Sequence, residues 1–279
     1  MNIAGHTIAV CSWSLRPRDM SDLVGMVKQL GLSHVQLMLL NVIQLDDKRK
    51  HQELGHLRAG GIQFTGGMMS FPGEDYSTIA AIRRTGGYVP DDLWPLRKRL
   101  SQEGAKLAKE LGMKSIGTHV GFVPPPNDRK YPAIRDRVRE IASMFGEQGI
   151  DLLMETGQEH AGELLDFLND LSSPNIFINF DPANMILYGA GDPVAAIRTL
   201  GKHIRHVHVK DATASNKPGE EWGEEVPFGT GQVGPQRFLQ ALHDVGYAGP
   251  LAIEREAGEQ RLQDVRIAIQ SLSAASGRA

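Results

Sequence analysis

The sequence predicts a single (β/α)8 barrel of the TIM-barrel class spanning residues 1–279. Two observations carry that expectation. Short β-rich runs alternate with helix-period segments eight times along the chain. No low-complexity linker divides it into two units. A doubly wound open sheet is the competing architecture, but it would offer a Gly-rich loop after an early strand, and none is present.

The first strand is read in TIAVCS, residues 7–12. Residues 21–31 follow as a helix, with Ser21 as cap, Leu23, Val27 and Leu30 as its stripe and Gly31 at its end. SHVQLML (33–39) and IQFTGGM (62–68) are the second and third strands. The irregular stretch 70–92 is long for a barrel loop. It reads as a lid, with Phe71, Tyr76 and Tyr88 closing over a ligand, or as a dimer contact. A helix follows, with Leu93, Leu96, Leu100, Leu107 and Leu111 on one face. KSIGTHV (114–120) is the fourth strand, and the helix at 132–148 carries Ile134, Val138, Ile141 and Phe145. IDLLMETG (150–157) is the fifth strand, followed by a helix with Leu164, Phe167, Leu168 and Leu171. NIFINFD (175–181) is the sixth strand. Asp192 caps the next helix, Pro193 takes its first turn and Gly201 ends it. HIRHVHVKDA (203–212) is the seventh strand, PQRFLQALHDVG (235–246) the seventh helix and GPLAIERE (249–256) the eighth strand. Leu262, Val265, Ile269 and Leu272 mark the last helix.

Composition narrows the function. The net charge of −3 leaves no basic excess, so nucleic acid is not an expected partner. The Lys48–Arg49–Lys50 and Arg97–Lys98–Arg99 clusters read as solvated helix faces. A lone cysteine, Cys11, excludes an intramolecular disulfide; a small apolar residue ending a strand is favoured over a catalytic thiol. No signal peptide and no bilayer-spanning apolar stretch is read, so no membrane partner and a cytoplasmic location are expected.

The last four strands carry the chemistry. Side chains alternate faces along a strand. Leu153 and Glu155 therefore share a face, as do Asn179 and Asp181, His206 and His208, and Ala252, Glu254 and Glu256. The opposite faces are apolar and suit the helix layer. In a barrel, Glu155, Asp181, His208 and Glu254 then converge at the C-terminal mouth, where barrel active sites lie. Three carboxylates so placed would repel one another unless a cation joins them. Three oxygens and one imidazole suit a fairly hard divalent ion such as Mn²⁺, Mg²⁺ or Co²⁺. His206, one inward position below, reads as support for that site. His203 sits at the strand entrance as a structural residue.

These residues resemble the xylose isomerase-like sugar isomerase and epimerase family, in particular its ketose 3-epimerases. LLMETGQE, INFDPANMILYG, HVHVKD, WGEEVPFGTGQV and GYAGPLAIERE carry the resemblance. It implies that Glu155, Asp181, His208 and Glu254 hold one Mn²⁺-type ion. It also implies that Glu155 and Glu254 exchange the proton beside a ketose carbonyl through an enediolate. Two positions depart from the epimerase pattern: Asn184 stands where a histidine is expected, and Ala214 where an arginine is. Both expected residues contact substrate, so the resemblance says less about the sugar than about the metal. Members of the family are often dimers or tetramers, and a homo-oligomer is expected on that ground alone.

Further substrate-contact candidates are His119, Gln158, Asn184, Lys210 and Trp13. His119 and Trp13 read equally as packing residues, and Gln158, like its neighbour Glu159, as a solvated loop residue. The glycines of PFGTGQVG (227–234) read as a shaped loop in preference to a phosphate cradle. The alternative activity is a metal-dependent lyase or dehydratase acting on a keto-sugar, keto-glycoside or inosose. A DNA-repair nuclease would need more metal ligands and a basic groove. A non-catalytic sugar-binding barrel would retain its ligand without Asp181.

Overall fold

The computed structural model describes residues 1–277. Its eight barrel strands are β1 (His6–Cys11), β2 (His34–Met38), β3 (Gln63–Met69), β4 (Ser115–Thr118), β5 (Asp151–Glu155), β6 (Ile176–Phe180), β7 (Ile204–Val209) and β8 (Leu251–Ile253). Each pairs in parallel with the next, and β8 pairs with β1, so the sheet closes. A short strand, Asn2–Ile3, folds back antiparallel on β1. The outer layer is α1 (Met20–Gln29), α2 (Asp47–Gly60), α3 (Trp94–Glu110), α4 (Tyr131–Gly146), α5 (Ala161–Leu171), α6 (Pro193–Leu200), α7 (Pro235–Asp244) and α8 (Arg261–Ser276). The expected (β/α)8 TIM barrel is the observed fold. No helix among the described residues is long and apolar enough to cross a membrane.

The strand parity read from the sequence is the parity observed. Outward-facing residues such as Leu152, Met154, Ile178, Val207 and Ile253 join one large apolar core with the helix stripes. The barrel interior is small and polar instead. Ala9, Cys11 and Ala252 pack together under Trp13, and Gln36, Asn179, His206 and His208 are all buried there. Gly117 also faces in: a Cβ at that position would meet Met68 Sδ at 2.9 Å and Gln36 Nε2 at 3.4 Å. Two register shifts interrupt the barrel, between Val35 and Gln36 and between Ile178 and Asn179. Such irregularities re-aim side chains, and both fall just before residues that contact His208.

Several sequence expectations need correction. Asp19, not Ser21, caps α1, accepting from the amide of Asp22 at 2.8 Å. The helix α2 escaped the periodicity reading because Leu54 and Leu57 are its only buried apolar residues. The buried Glu53 anchors it instead, accepting from the Met20 amide at 2.8 Å. Arg97 is not on a solvated face; it is fully buried, with its guanidinium bound to the carbonyls of Gly87 and Pro72. That clamp, with the Phe71–Tyr88 ring contact at 5.3 Å, pins both ends of the 70–92 segment into the core. Phe71 and Tyr88 are therefore unable to close over a ligand, whereas Tyr76 stays exposed at the mouth. The segment also holds a helix, Ile79–Thr85, capped by Thr78.

Candidate metal centre and cavity

The strand ends converge as the parity requires. Nδ1 of His208 lies 3.0 Å from Glu155 Oε1, 3.4 Å from Asp181 Oδ2 and 3.1 Å from Glu254 Oε2. One ligand atom from each of the four residues lies within 4.8 Å of every other. All four side chains are buried.

The imidazole is held from beneath. Its Nε2 lies 2.7 Å from Gln36 Oε1 and 3.1 Å from Asn179 Nδ2, and its Nδ1 faces the carboxylates. His206 lies lower on the same face, its ring 5.9 Å from that of His208, bonded to Asn179 Oδ1 at 2.7 Å and Thr65 Oγ1 at 3.0 Å. Burial pulls His206 down to about 3, so it stays neutral. Asp181 divides its oxygens: Oδ1 caps the helix Pro182–Tyr188 through the Asn184 amide at 2.9 Å, and Oδ2 faces the centre.

Charge is distributed unevenly. Lys210 Nζ lies 3.0 Å from Glu254 Oε2, 3.6 Å from Asp181 Oδ2 and 2.6 Å from Glu256 Oε2. It also contacts Asn184 Oδ1 at 3.3 Å. Burial opposes ionisation of Glu254, but Lys210 and His208 outweigh it and hold that carboxyl low. Asp181 is held low in the same way. Burial raises Glu155, which lacks the lysine. Cys11 points at the floor beside Gln36 Oε1, 3.4 Å away, and burial pushes its thiol up to about 12, which makes it inert.

The donor set fits a divalent cation. Three carboxylates around one imidazole nitrogen demand positive charge at their centre, from a proton on Nδ1 or from an ion. Glu254 Oε2 is buried and faces this centre, with Lys210 Nζ at 3.0 Å and His208 Nδ1 at 3.1 Å. Hard oxygens in excess of nitrogen match Mn²⁺, Mg²⁺ or Co²⁺.

Above the cluster opens a cavity of ≈ 770 Å³. Of the five expected contact residues, Trp13, His119, Asn184 and Lys210 line it and Gln158 does not. Trp13 is more than an apolar wall, because its Nε1–H donates to Glu254 Oε1 at 2.7 Å. Gln158 stands behind His119, accepting from Nε2–H at 2.6 Å, while its own amide donates to Gly121 O and Glu159. This fixes the His119 tautomer and leaves Nδ1 a buried acceptor without a partner among the described residues. Glu159 is only half-buried and takes the Val123 amide at 3.1 Å.

Sequence reading missed Gln36, Tyr188 and Trp222. A lone polar residue mid-strand was the signal for Gln36. Tyr188 and Trp222 offered none, because long-range folding alone brings them together, with rings 4.7 Å apart. The glycine loop is resolved in favour of a shaped turn. Asp211 fills it from within, accepting from the amides of Ala212, Gly229, Gly231 and Val233 at 2.9–3.0 Å.

Residues 24–275 match the family described as the xylose isomerase-like TIM barrel. The chain belongs to that family. A xylose isomerase domain protein of Planctomyces limnophilus has the same barrel, with a TM-score of 0.85 and 32% identity over 97% of this chain and 96% of that one. A xylose isomerase-like protein of Mycobacterium smegmatis, solved in complex with magnesium, superimposes with a TM-score of 0.75 at 15% identity, covering 99% of both chains. L-ribulose-5-phosphate 3-epimerase UlaE of Salmonella paratyphi A is 27% identical over 162 residues, 56% of this chain and 54% of that protein. The chain thus spans about half the length of the curated relatives it matches.

Proposed function

We propose that the protein is a divalent-metal-dependent sugar epimerase or isomerase that moves a proton on the carbon beside a ketose carbonyl. The convergence of three carboxylates on Nδ1 of His208 carries this reading. The epimerase relative and the magnesium-bound neighbour support it. Glu155, Asp181, His208 and Glu254 would hold one ion, Mn²⁺ by preference. When bound, the ion supplies Lewis-acid stabilisation of the negative charge that develops on the substrate oxygens.

The proton work falls to Glu155 and Glu254. They come from β5 and β8, with β6 and β7 between them, so they meet a substrate from two sides of the cavity floor. Lys210 and the Trp13 N–H keep Glu254 ionised and aimed, which suits it as the base. Glu155, on the other side of the floor, is the group placed to return the proton. Return of the proton on the opposite face inverts the carbon; return to the neighbouring carbon isomerises. Asn184 and Lys210, which line the cavity, are the groups available to orient hydroxyls, with the His119 ring beside them.

Metal analysis and deuterium exchange test this together. Protein dialysed against Mn²⁺, Mg²⁺ or Co²⁺ is expected to retain one ion per chain. Ketoses in D₂O should exchange the hydrogen beside the carbonyl only with the ion present. His208→Ala should lose both the ion and the exchange. Full metal content in that variant, or exchange that survives complete metal removal, refutes the proposal.

A further inference from the structure

The cavity also carries information about what it accepts. Five carboxylates line it: Glu74, Glu155, Glu225, Glu254 and Glu256. Lys210 is the one lysine or arginine lining it among the described residues, and it is already held between Glu254, Asp181 and Glu256. The amides of the 227–234 loop, the other natural seat for an anion, are taken by the Asp211 carboxylate. A Cβ at Gly231 would lie 2.4 Å from Asp211 Oδ1, so the loop is wrapped tightly on that side chain. Glu256 is paired with Lys210, and Glu225 with Arg255 at 2.8 Å, so both of these cations are already taken by carboxylates. A phosphorylated sugar would therefore meet no free lysine or arginine among the described lining residues.

The outer half of the cavity is aromatic. Trp222 donates its Nε1–H to the Tyr76 carbonyl at 3.1 Å, which joins the loop after β3 to the loop after β7 across the mouth. Tyr188 packs edge-on against Trp222 and stacks on His119 at 6.0 Å. Tyr76 and Met1 are the only large apolar residues left exposed among the described residues. An exposed ring on a cavity rim, beside a half-buried tryptophan, is a platform for the flat face of a sugar. A hexose fills about six water volumes, roughly 180 Å³, so ≈ 770 Å³ holds more than one ring.

We infer that the substrate is an uncharged, two-ring keto-sugar or glycoside: one ring sits on the carboxylate floor and a second against Tyr76, Tyr188 and Trp222. This rests on the sugar-epimerase reading and departs from the phosphorylated substrate in the name of the Salmonella relative.

Three probes share one ketose and differ only at O6: D-fructose, D-fructose 6-phosphate and isomaltulose, which carries a glucosyl group there. Binding to the Mn²⁺-loaded protein, with free ion removed, is measured by calorimetry. Isomaltulose is expected to bind at least fivefold tighter than fructose and at least tenfold tighter than fructose 6-phosphate. Trp222→Ala should shrink the isomaltulose preference to less than twofold. The inference is overturned if the phosphate binds tightest, if isomaltulose gains nothing over fructose, if Trp222→Ala leaves the preference intact, or if none of the three binds. Deuterium exchange on the same samples judges the chemistry separately. Binding with the stated preference but without exchange removes the epimerase reading and leaves the ligand class standing.

Discussion

Asp211→Asn is the substitution whose cost can be worked most directly from the structure. Asp211 is fully buried. Its Oδ1 accepts from the amides of Ala212 and Val233, and its Oδ2 from those of Gly229 and Gly231. Asparagine has the same shape but presents an NH₂ to one of the two pairs, whichever way the amide turns. Two buried donors then face a donor. Each stranded group costs about 1–3 kcal/mol, so the substitution costs roughly 2–6 kcal/mol. A chain of this length has an unfolding entropy on the order of 0.6 kcal/mol/K at its midpoint. The melting temperature should therefore fall by roughly 3–10 °C. Scanning calorimetry measures that fall, and hydrogen exchange should show lost protection at Gly229, Gly231 and Val233. A midpoint within about 1 °C of the parent, with protection unchanged, would refute the claim that the carboxylate holds this loop.

Three further outcomes follow from other buried groups. Arg97→Met strands the carbonyls of Gly87 and Pro72, so it should cost about 2–4 kcal/mol in a denaturant titration and open the 70–92 segment to protease; an unshifted midpoint with no new cleavage contradicts the clamp. Burial pulls His119 down from 6.5 to about 4, against the Gln158 hydrogen bond. Its neutral form thus contributes stability that is complete above pH 6.5 and is lost as pH falls toward 4. The stability difference between the parent and His119→Asn should slope across that window and be flat above it; a flat difference throughout sinks the assignment. Burial raises Glu159 from 4.5 to about 7, against the hydrogen bonds from Val123 and Gln158. Its contribution is present below pH 4.5 and lost as pH rises through 7. Glu159→Gln should therefore gain on the parent between those values, and equal pH profiles would count against a raised carboxyl.

Much of the site was legible because its logic is local. Strand parity repeats every two residues, so the pattern of HVHV and INFD already sorts the side chains into a core face and an interior face. A closed barrel brings the ends of consecutive strands together, so strand order alone groups Glu155, Asp181, His208 and Glu254. The reading failed where a residue's environment comes from distant chain. Arg97 sits in an ordinary basic helical run, and only the return of residues 72 and 87 buries it. The α2 helix carries little apolar periodicity because Glu53 anchors it through a partner 33 residues away.

By itself, then, the sequence determined the barrel, the family and the four converging side chains, since each follows from short-range period and order along the chain. The tertiary structure alone decided three other matters. It turned the glycine loop inward onto Asp211. It pinned Phe71 and Tyr88 in the core while leaving Tyr76 free, and it set Trp222 and Tyr188 as a second wall of the cavity. Those depend on where loops of distant origin meet, and loop meeting points are governed by packing and charge across the fold, which no periodicity encodes.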